Sequence, residues 1–217
     1  MIQKNEPKLI GAGAYGLPEA ARLAGVQPQT ASRWLSGRVL KPDLPQVGGR
    51  KAVSFLDLVE LFVVGRLRSE GVSLQTIRRV YTRLQDKLGH DHPFASQRLL
   101  TDGKEIFWEV GDEFGDRRLE EIRSGQNAMP QILERFLKEI EYDSDVARRW
   151  RISPGVVLDP ARSFGKPTVD EGPSTHVLAA AFEANGHDTS LVADLYGVSP
   201  ESVRTAVEFE RHYNNAA

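Results

Sequence analysis

The sequence predicts a mainly α protein with short β-hairpins, an α+β chain in which helices dominate. Three observations carry this. Apolar residues recur at i, i+3, i+4 and i+7 in several stretches, as they do on one face of a helix. Gly-Gly and Asp-Gly pairs separate short strand-like runs, the chemistry of tight hairpins. Proline and glycine stand where first helical turns and left-handed stops belong. The 217 residues, 40% hydrophobic and 27% charged, suffice for one large or two small globular cores.

Leu17, Ala20, Ala21 and Ala24 line one face of a short helix that Pro18 opens and Gly25 stops. Pro28 begins a second helix through Leu35, with Ala31, Trp34 and Leu35 inside and Gln29, Thr30, Ser32 and Arg33 outside. Joined across Gly25-Val26, the two read as a helix-turn-helix. Prolines extend Arg38 to Pro45, and Gln46 to Phe55 reads as a hairpin with Gly48-Gly49 at its tip and Arg50 and Lys51 beside it. Ser54 caps a helix carrying Leu58, Leu61, Phe62 and Leu67. Ser73 starts another, with Leu74, Ile77, Val80 and Tyr81 inward and Arg78, Arg79 and Arg83 outward.

Beyond His90-Asp-His-Pro93 the patterns shorten. Gln97 to Val110 reads as two strands about an Asp102-Gly103 turn. Gln131 to Lys138 is an amphipathic helix with Ile132, Leu133, Phe136 and Leu137 inside, and Val146–Ile152 and Gly155–Leu158 read as strands. A Gly/Pro-ordered loop from Asp159 to Thr168 leads to a helix capped by Ser174 or Thr175, with Val177, Leu178, Ala181 and Phe182 inward. Asp188 caps Leu191–Tyr196, and Gly197–Glu201 turns into a last helix with Val203, Ala206, Val207 and Glu210 on its stripe. No internal repeat or low-complexity tract occurs. Three segments result: 1–90, a helix-turn-helix with a hairpin wing; 94–158, a mixed α/β middle region; and 159–217, a C-terminal three-helix domain.

Composition narrows the function classes. No run approaches the roughly 18 apolar residues of a membrane span, and Met1 to Leu9 lacks an apolar h-region, so no signal peptide is read. The absence of cysteine excludes disulfides, thiolate metal sites and cysteine catalysis. A cytoplasmic location is the expectation. The net charge of −2 conceals a split: residues 1–85 hold 13 Lys/Arg against 6 Asp/Glu, and residues 86–217 hold 15 against 24. Two readings stand, a basic half for a polyanion beside an acidic half for another partner, or ordinary surface variation.

The outer face of the second helix suits the major groove of duplex DNA. Arg33 can fork onto guanine, Gln29 can pair with adenine, and Thr30 and Ser32 can serve bases or phosphates. A plain helical hairpin with a polar outside is the competing reading. The hairpin shifts the balance, because Arg38, Arg50 and Lys51 beside a recognition helix are what a wing gripping the phosphate backbone needs.

Motifs that resemble catalytic signatures lack their context. Gly11-Ala-Gly-Ala-Tyr-Gly16 matches the dinucleotide-binding pattern in letters, but neither the preceding buried strand nor a second parallel strand is read around it. His90 and His92 alternate before Pro93 and read as a solvated loop without a third ligand. Asp143 and Asp145 read as helix-end or turn acids, since a nuclease needs further converging carboxylates. The expectation is no enzyme, no cofactor and no metal. Arg148-Arg-Trp-Arg151 stands out in the acidic half, either as a solvated strand edge with one packed Trp or as an arm for an acidic partner.

Tyr15-Gly16, Glu19-Ala-Ala21, Leu23-Ala-Gly-Val26, Arg33-Trp34, Gly48-Gly-Arg50, Ser54-Phe55, Asp57-Leu58 and Leu67-Arg-Ser-Glu-Gly-Val-Ser73 together resemble the MerR family. The resemblance implies a winged helix contacting DNA through Gln29, Thr30, Arg33, Arg50 and Lys51. It ends where MerR regulators continue into a dimerising coiled coil, so their metal or drug sensing is not carried over. Asp159-Pro160, Phe164-Gly-Lys-Pro167, Asn185-Gly186, Val192-Ala193, Tyr196-Gly-Val-Ser199, Val203 and Ala206 resemble a small domain of VapB-like antitoxins. Gly172-Pro-Ser174 departs from that family's usual Gly-Thr-Arg, leaving any role of that motif open. The combination resembles the larger VapB-type antitoxins, whose toxins are PIN-domain ribonucleases with acidic, magnesium-binding sites. It implies an antitoxin that neutralises such a toxin, binds operator DNA as a homodimer and represses its own transcription. Arg148, Arg149 and Arg151 are the candidates for the toxin's carboxylates. The alternative is a stand-alone MerR-like regulator whose acidic half binds a ligand.

Overall fold

The computed structural model describes residues 12–44, 46–47, 50–124 and 129–215. Contacts divide the chain into two units, Gly16–Arg148 on the one hand and the N-terminal residues through Tyr15 with Arg149–Ala217 on the other. The division falls inside the segment 94–158 that reads from sequence as a separate middle region. Both units combine helices with short antiparallel strands.

The division also falls within β1 (Tyr15–Gly16), which leads into α1 (Leu17–Leu23) of the first unit, with proline in its first turn. Ala20, Ala21, Leu23 and Ala24 are buried, and Gly25, at φ +68°, makes the left-handed stop. Then α2 (Pro28–Arg33) buries Ala31 and runs into a turn in which Trp34 and Leu35 are buried and Gly37 has φ +79°. Strands β2 (Gln46–Val47) and β3 (Arg50–Val53) pair antiparallel, with Gln46 opposite Lys51 and Val47 opposite Arg50. The tip residues Gly48 and Gly49 lie outside the described residues.

The centre of the first unit is α3 (Phe55–Ser69), buried on nearly every side from Phe55 to Val64 as a core helix is. Its start is fixed by a reciprocal capping box: the Asp57 amide donates to Ser54 Oγ at 3.0 Å, and the Ser54 amide to Asp57 Oδ2 at 3.1 Å. Gly65 lets the α1–α2 turn lie close, since a Cβ there would meet Val26 Cγ1 at 2.8 Å. Helix α4 (Leu74–Leu88), capped by Ser73, buries Ile77, Val80, Tyr81 and Leu84. Of its three outward arginines, Arg79 lies 3.4 Å from the Phe114 ring centroid and Arg83 pairs with Glu113, while Arg78 is exposed.

The Asp102-Gly103 hairpin is not formed. Gln97–Leu99 is a single short turn and Asp102–Phe114 is a helix, α5. The apolar residues after the Asp-Gly pair stand at 106, 107 and 110, a helical spacing that overrides the pair's turn chemistry. Asp102 and Glu105 sit in the first turn, where carboxylates suit the helix dipole, and Arg98 and Lys87 hold Asp102 at 2.7 and 3.2 Å. Helices α6 (Arg117–Ser124) and α7 (Met129–Leu137) follow, the former unforeseen. In α7, Ile132, Leu133 and Leu137 are buried as read, while Phe136 is only half-buried. Strand β4 (Ile140–Asp143) and a turn with Ser144 and Asp145 at positive φ complete the unit. These two residues confirm a turn role for the Asp143/Asp145 pair.

Strand β5 (Val146–Ser153) runs into the second unit and pairs there with β6 (Val156–Leu158), Trp150 opposite Leu158; β6 in turn pairs with β7 (Thr168–Val169). Helices α8 (Thr175–Ala184), α9 (Thr189–Tyr196) and α10 (Pro200–Asn215) follow, with α10 packed on both others. Val169, Leu178, Val192, Ala193, Val203 and Ala206 form their common core. Val177, read from sequence as inward, is 42% exposed instead, because the buried stripe of α8 passes through Thr175 and Leu178. The Asp159–Thr168 loop is closed by Tyr15, whose hydroxyl donates to the Gly165 carbonyl at 2.7 Å.

Candidate functional site

The residues read as a DNA-facing set gather on α2 and the hairpin, to the extent that they lie among the described side chains. Gln29 and Arg33 are exposed, one helical turn apart, and Thr30 and Ser32 are half-buried beside them. Lys51 is not a free cation: its Nζ donates to the Ser32 carbonyl at 2.8 Å and lies 3.4 Å from Ser32 Oγ. It thereby ties β3 to the end of α2 and fixes the hairpin's place beside the exposed face. The side chains of Arg38 and Arg50 lie outside the described residues. Between the turn after α2 and β3 opens a cleft of about 400 Å³, lined by Leu35, Gly37, Pro42, Leu44, Lys51 and Ala52.

The arginine run on β5 is differentiated. Arg149 Nη2 and Arg151 Nη1 both reach Asp170, at 3.4 and 3.2 Å. Two residues apart, they project to the same side of the strand. Arg148 is exposed, and Trp150 between them is 4% exposed and packed.

The sequence reading of His92 as a solvated loop residue is overturned. His92 is 7% exposed, with Nε2 2.7 Å from Asp43 Oδ1 and Nδ1 3.2 Å from Glu60 Oε2. Glu60 is fully buried on α3, where it also accepts from the Phe94 amide at 3.0 Å and from the Tyr81 hydroxyl at 3.3 Å. Asp57, one turn earlier on the same helix, is fully buried too. Burial draws the His92 imidazole toward its neutral form, but its hydrogen bonds to Asp43 and Glu60, with their charges, outweigh this and raise its pKa from 6.5 to about 10. Burial pushes Asp57 and Glu60 above the usual carboxylate range. Asp43 resists the upward pull of its own partial burial, because His92 bonds to it and holds it low. His90, by contrast, only approaches Asp145, at 4.0 Å.

The cluster was hidden because its members come from positions 43, 57, 60 and 92, and no spacing rule joins them. One signal was present: Asp57 and Glu60 interrupt the apolar run of α3, and acids inside a core helix need partners. The other histidines, His176, His187 and His212, are exposed. The strand pairings β2–β3, β5–β6 and β6–β7 are antiparallel, unlike the parallel βαβ setting that dinucleotide binding needs.

No protein-family model matches the chain. It is 30% identical, over 222 aligned residues spanning 89% of its length and 92% of the relative's, to a Mycobacterium tuberculosis protein described as "Putative antitoxin VapB45". The chain belongs to the VapB antitoxin family. The crystal structure of Rv2018 from Mycobacterium tuberculosis resembles this VapB-family protein with a TM-score of 0.75 and 32% identity, covering 89% of this chain and 96% of that one. Likeness over 89% of the VapB-family chain reaches into both of its units. No helix among the described residues is long and apolar enough to cross a membrane.

Proposed function

We propose that this protein is the antitoxin of a toxin–antitoxin pair, neutralising a PIN-domain ribonuclease and docking on operator DNA as a homodimer to repress its own transcription. The observation that carries the antitoxin reading is the 30% identity maintained over nearly the whole chain with a protein named as one. The DNA half of the reading is supported by the exposed pair Gln29 and Arg33 beside a hairpin that Lys51 fastens to the same helix. This is the surface a MerR-like winged helix presents, the second helix to base edges and the hairpin to phosphates. A homodimer matches paired half-sites and raises affinity above that of a single reader. On α9, Leu191 and Leu195, 43% and 62% exposed and one turn apart, support a protein contact there. For the toxin's acidic site, Arg148, Arg149 and Arg151 remain the basic residues with suitable chemistry.

Co-expression with the product of the neighbouring gene tests the first half: the two proteins should co-purify and the ribonuclease should be silent. Gel shifts with the upstream duplex test the second. Arg33→Ala should weaken binding by about 1–3 kcal/mol and relax base preference at one position. A protein that binds the duplex yet retains no ribonuclease partner would instead be the stand-alone regulator.

A further inference from the structure

We propose that Asp43, Asp57 and His92 form a site for a divalent first-row transition metal of the zinc class, with Glu60 orienting the imidazole. One ligand atom from each of the three residues lies within 4.8 Å of the others. Asp43 comes from the segment before the hairpin, Asp57 from the first turn of α3, and His92 from the chain after α4, so an ion would bind three separate segments to one another.

Two observations distinguish this from an ordinary polar cluster. The first is Asp57 Oδ1. Asp57 Oδ2 accepts from the Ser54 amide at 3.1 Å and the Asp43 amide at 3.3 Å. Its Oδ1 is buried and has no hydrogen-bond partner among the described residues. A carboxylate oxygen removed from water and left unpaired is among the most unfavourable groups a core can hold. A bound cation would supply the partner this oxygen lacks. The second is the setting of His92. Glu60 Oε2 takes Nδ1 at 3.2 Å, the carboxylate–imidazole arrangement that leaves Nε2 as ligand and fixes the ring plane. Nε2 is the nitrogen that faces Asp43.

Two carboxylate oxygens and one imidazole nitrogen are a donor set for zinc and its neighbours, with a fourth position left for water. Bonds of roughly 2.0–2.1 Å at tetrahedral angles set donor atoms about 3.3 Å apart, so Asp43 must withdraw from His92 by about 0.6 Å and the more widely spaced donors must close in. Asp43 can move, because its side chain is 37% exposed on a loop. That exposure also gives the ion its route in.

The test uses the full chain, treated with a chelator and dialysed, then titrated with Zn²⁺ against a chromophoric competitor and separately with Co²⁺ for its visible absorption. The expected result is one equivalent per chain, with imidazole-ligated Co²⁺ bands. Asp43→Asn, which keeps a hydrogen-bonding side chain at the surface, should lose that binding. Glu60→Gln should weaken it by about 10- to 100-fold by loosening the ring. Replacing the exposed His176, His187 and His212 together by Gln should leave it unchanged. No stoichiometric binding by the wild type, or binding equal in Asp43→Asn and Glu60→Gln to that of the wild type, overturns the proposal. Should Asp43→Asn not fold, Glu60→Gln and the triple histidine variant decide it alone.

Discussion

At His92, burial pulls the imidazole toward neutrality while Asp43 and Glu60 pull it back, and the pairing prevails. In metal-free protein this has a definite sign. The folded state keeps the proton up to about pH 10, whereas the unfolded chain releases it near 6.5. Stability from this pairing is therefore fully present below about 6.5 and lost as pH rises through about 10. Asp57 and Glu60, raised by burial, add a loss in the same direction from their ordinary range upward. Asp43, held low, matters only in acid, where its contribution is lost as it protonates. Tyr81, pushed far up, stays neutral across the window. Thermal melts in chelator should fall steadily from neutral pH to about pH 10 in the wild type and be flatter in His92→Gln. A wild-type series as flat as the variant's would contradict the pairing. Removing the imidazole outright, as in His92→Leu, leaves the buried Glu60 without its cationic partner, held only by the Phe94 amide and the Tyr81 hydroxyl, and should cost about 3–5 kcal/mol.

Among elements, the legible features were those whose cause lies within a few residues. Ser54 and Ser73 could be read as caps because a cap bonds to an amide two or three positions on. Gly25 and Gly197 could be read as a stop and a turn because the left-handed backbone is local. The Asp-Gly pair at 102 misled because that dipeptide opens a helix as readily as it turns a hairpin, and only the spacing of Ile106, Phe107 and Val110 decides. Val177 misled because which side of α8 is covered depends on where α10 lies, which no local pattern records. The loop around Gly165 tests the same distinction between local and distant causes. Gly165 has φ +82°, and a Cβ would collide with the Tyr15 hydroxyl; Gly186, at φ +66°, has nothing within 4 Å. Gly186→Ala should thus show only the backbone penalty of about 1 kcal/mol. Gly165→Ala should lose the Tyr15 contact as well and fall by about 1–3 kcal/mol more. Equal melting temperatures for the two variants would show that the Tyr15 contact contributes nothing.

For the whole molecule, the division of charge was visible in composition before any element was assigned. The basic side of it, residues 1–85, holds α2 and the hairpin; the acidic side begins in the last turn of α4 and holds the helices of the second unit. What composition could not show is how much of the positive charge is already engaged. Arg79, Arg83 and Lys51 are each held by a neighbour within the fold. Operator binding by the remaining cations should still fall steeply with salt, because each phosphate neutralised releases a counterion. For a dimer touching six or more phosphates, raising salt from about 50 to 200 mM should weaken it on the order of 10³-fold. Gel shifts at the two salt concentrations check this; a change under about tenfold would place the contact elsewhere than on the phosphate backbone.

Asp170 carries a final consequence. Reaching both Arg149 and Arg151 from within the fold, it acts as a resident competitor for any acidic visitor to that strand. A lone carboxylate exchanged for Asp170 gains almost nothing, since exposed ion pairs of this kind are worth about 0–1 kcal/mol whichever acid makes them. A visitor bearing several acids close together can engage both guanidinium groups at once, which a single carboxylate cannot do as well. If the proposed toxin docks on this strand, Asp170 would favour a partner that presents clustered acids over one that presents a single carboxylate.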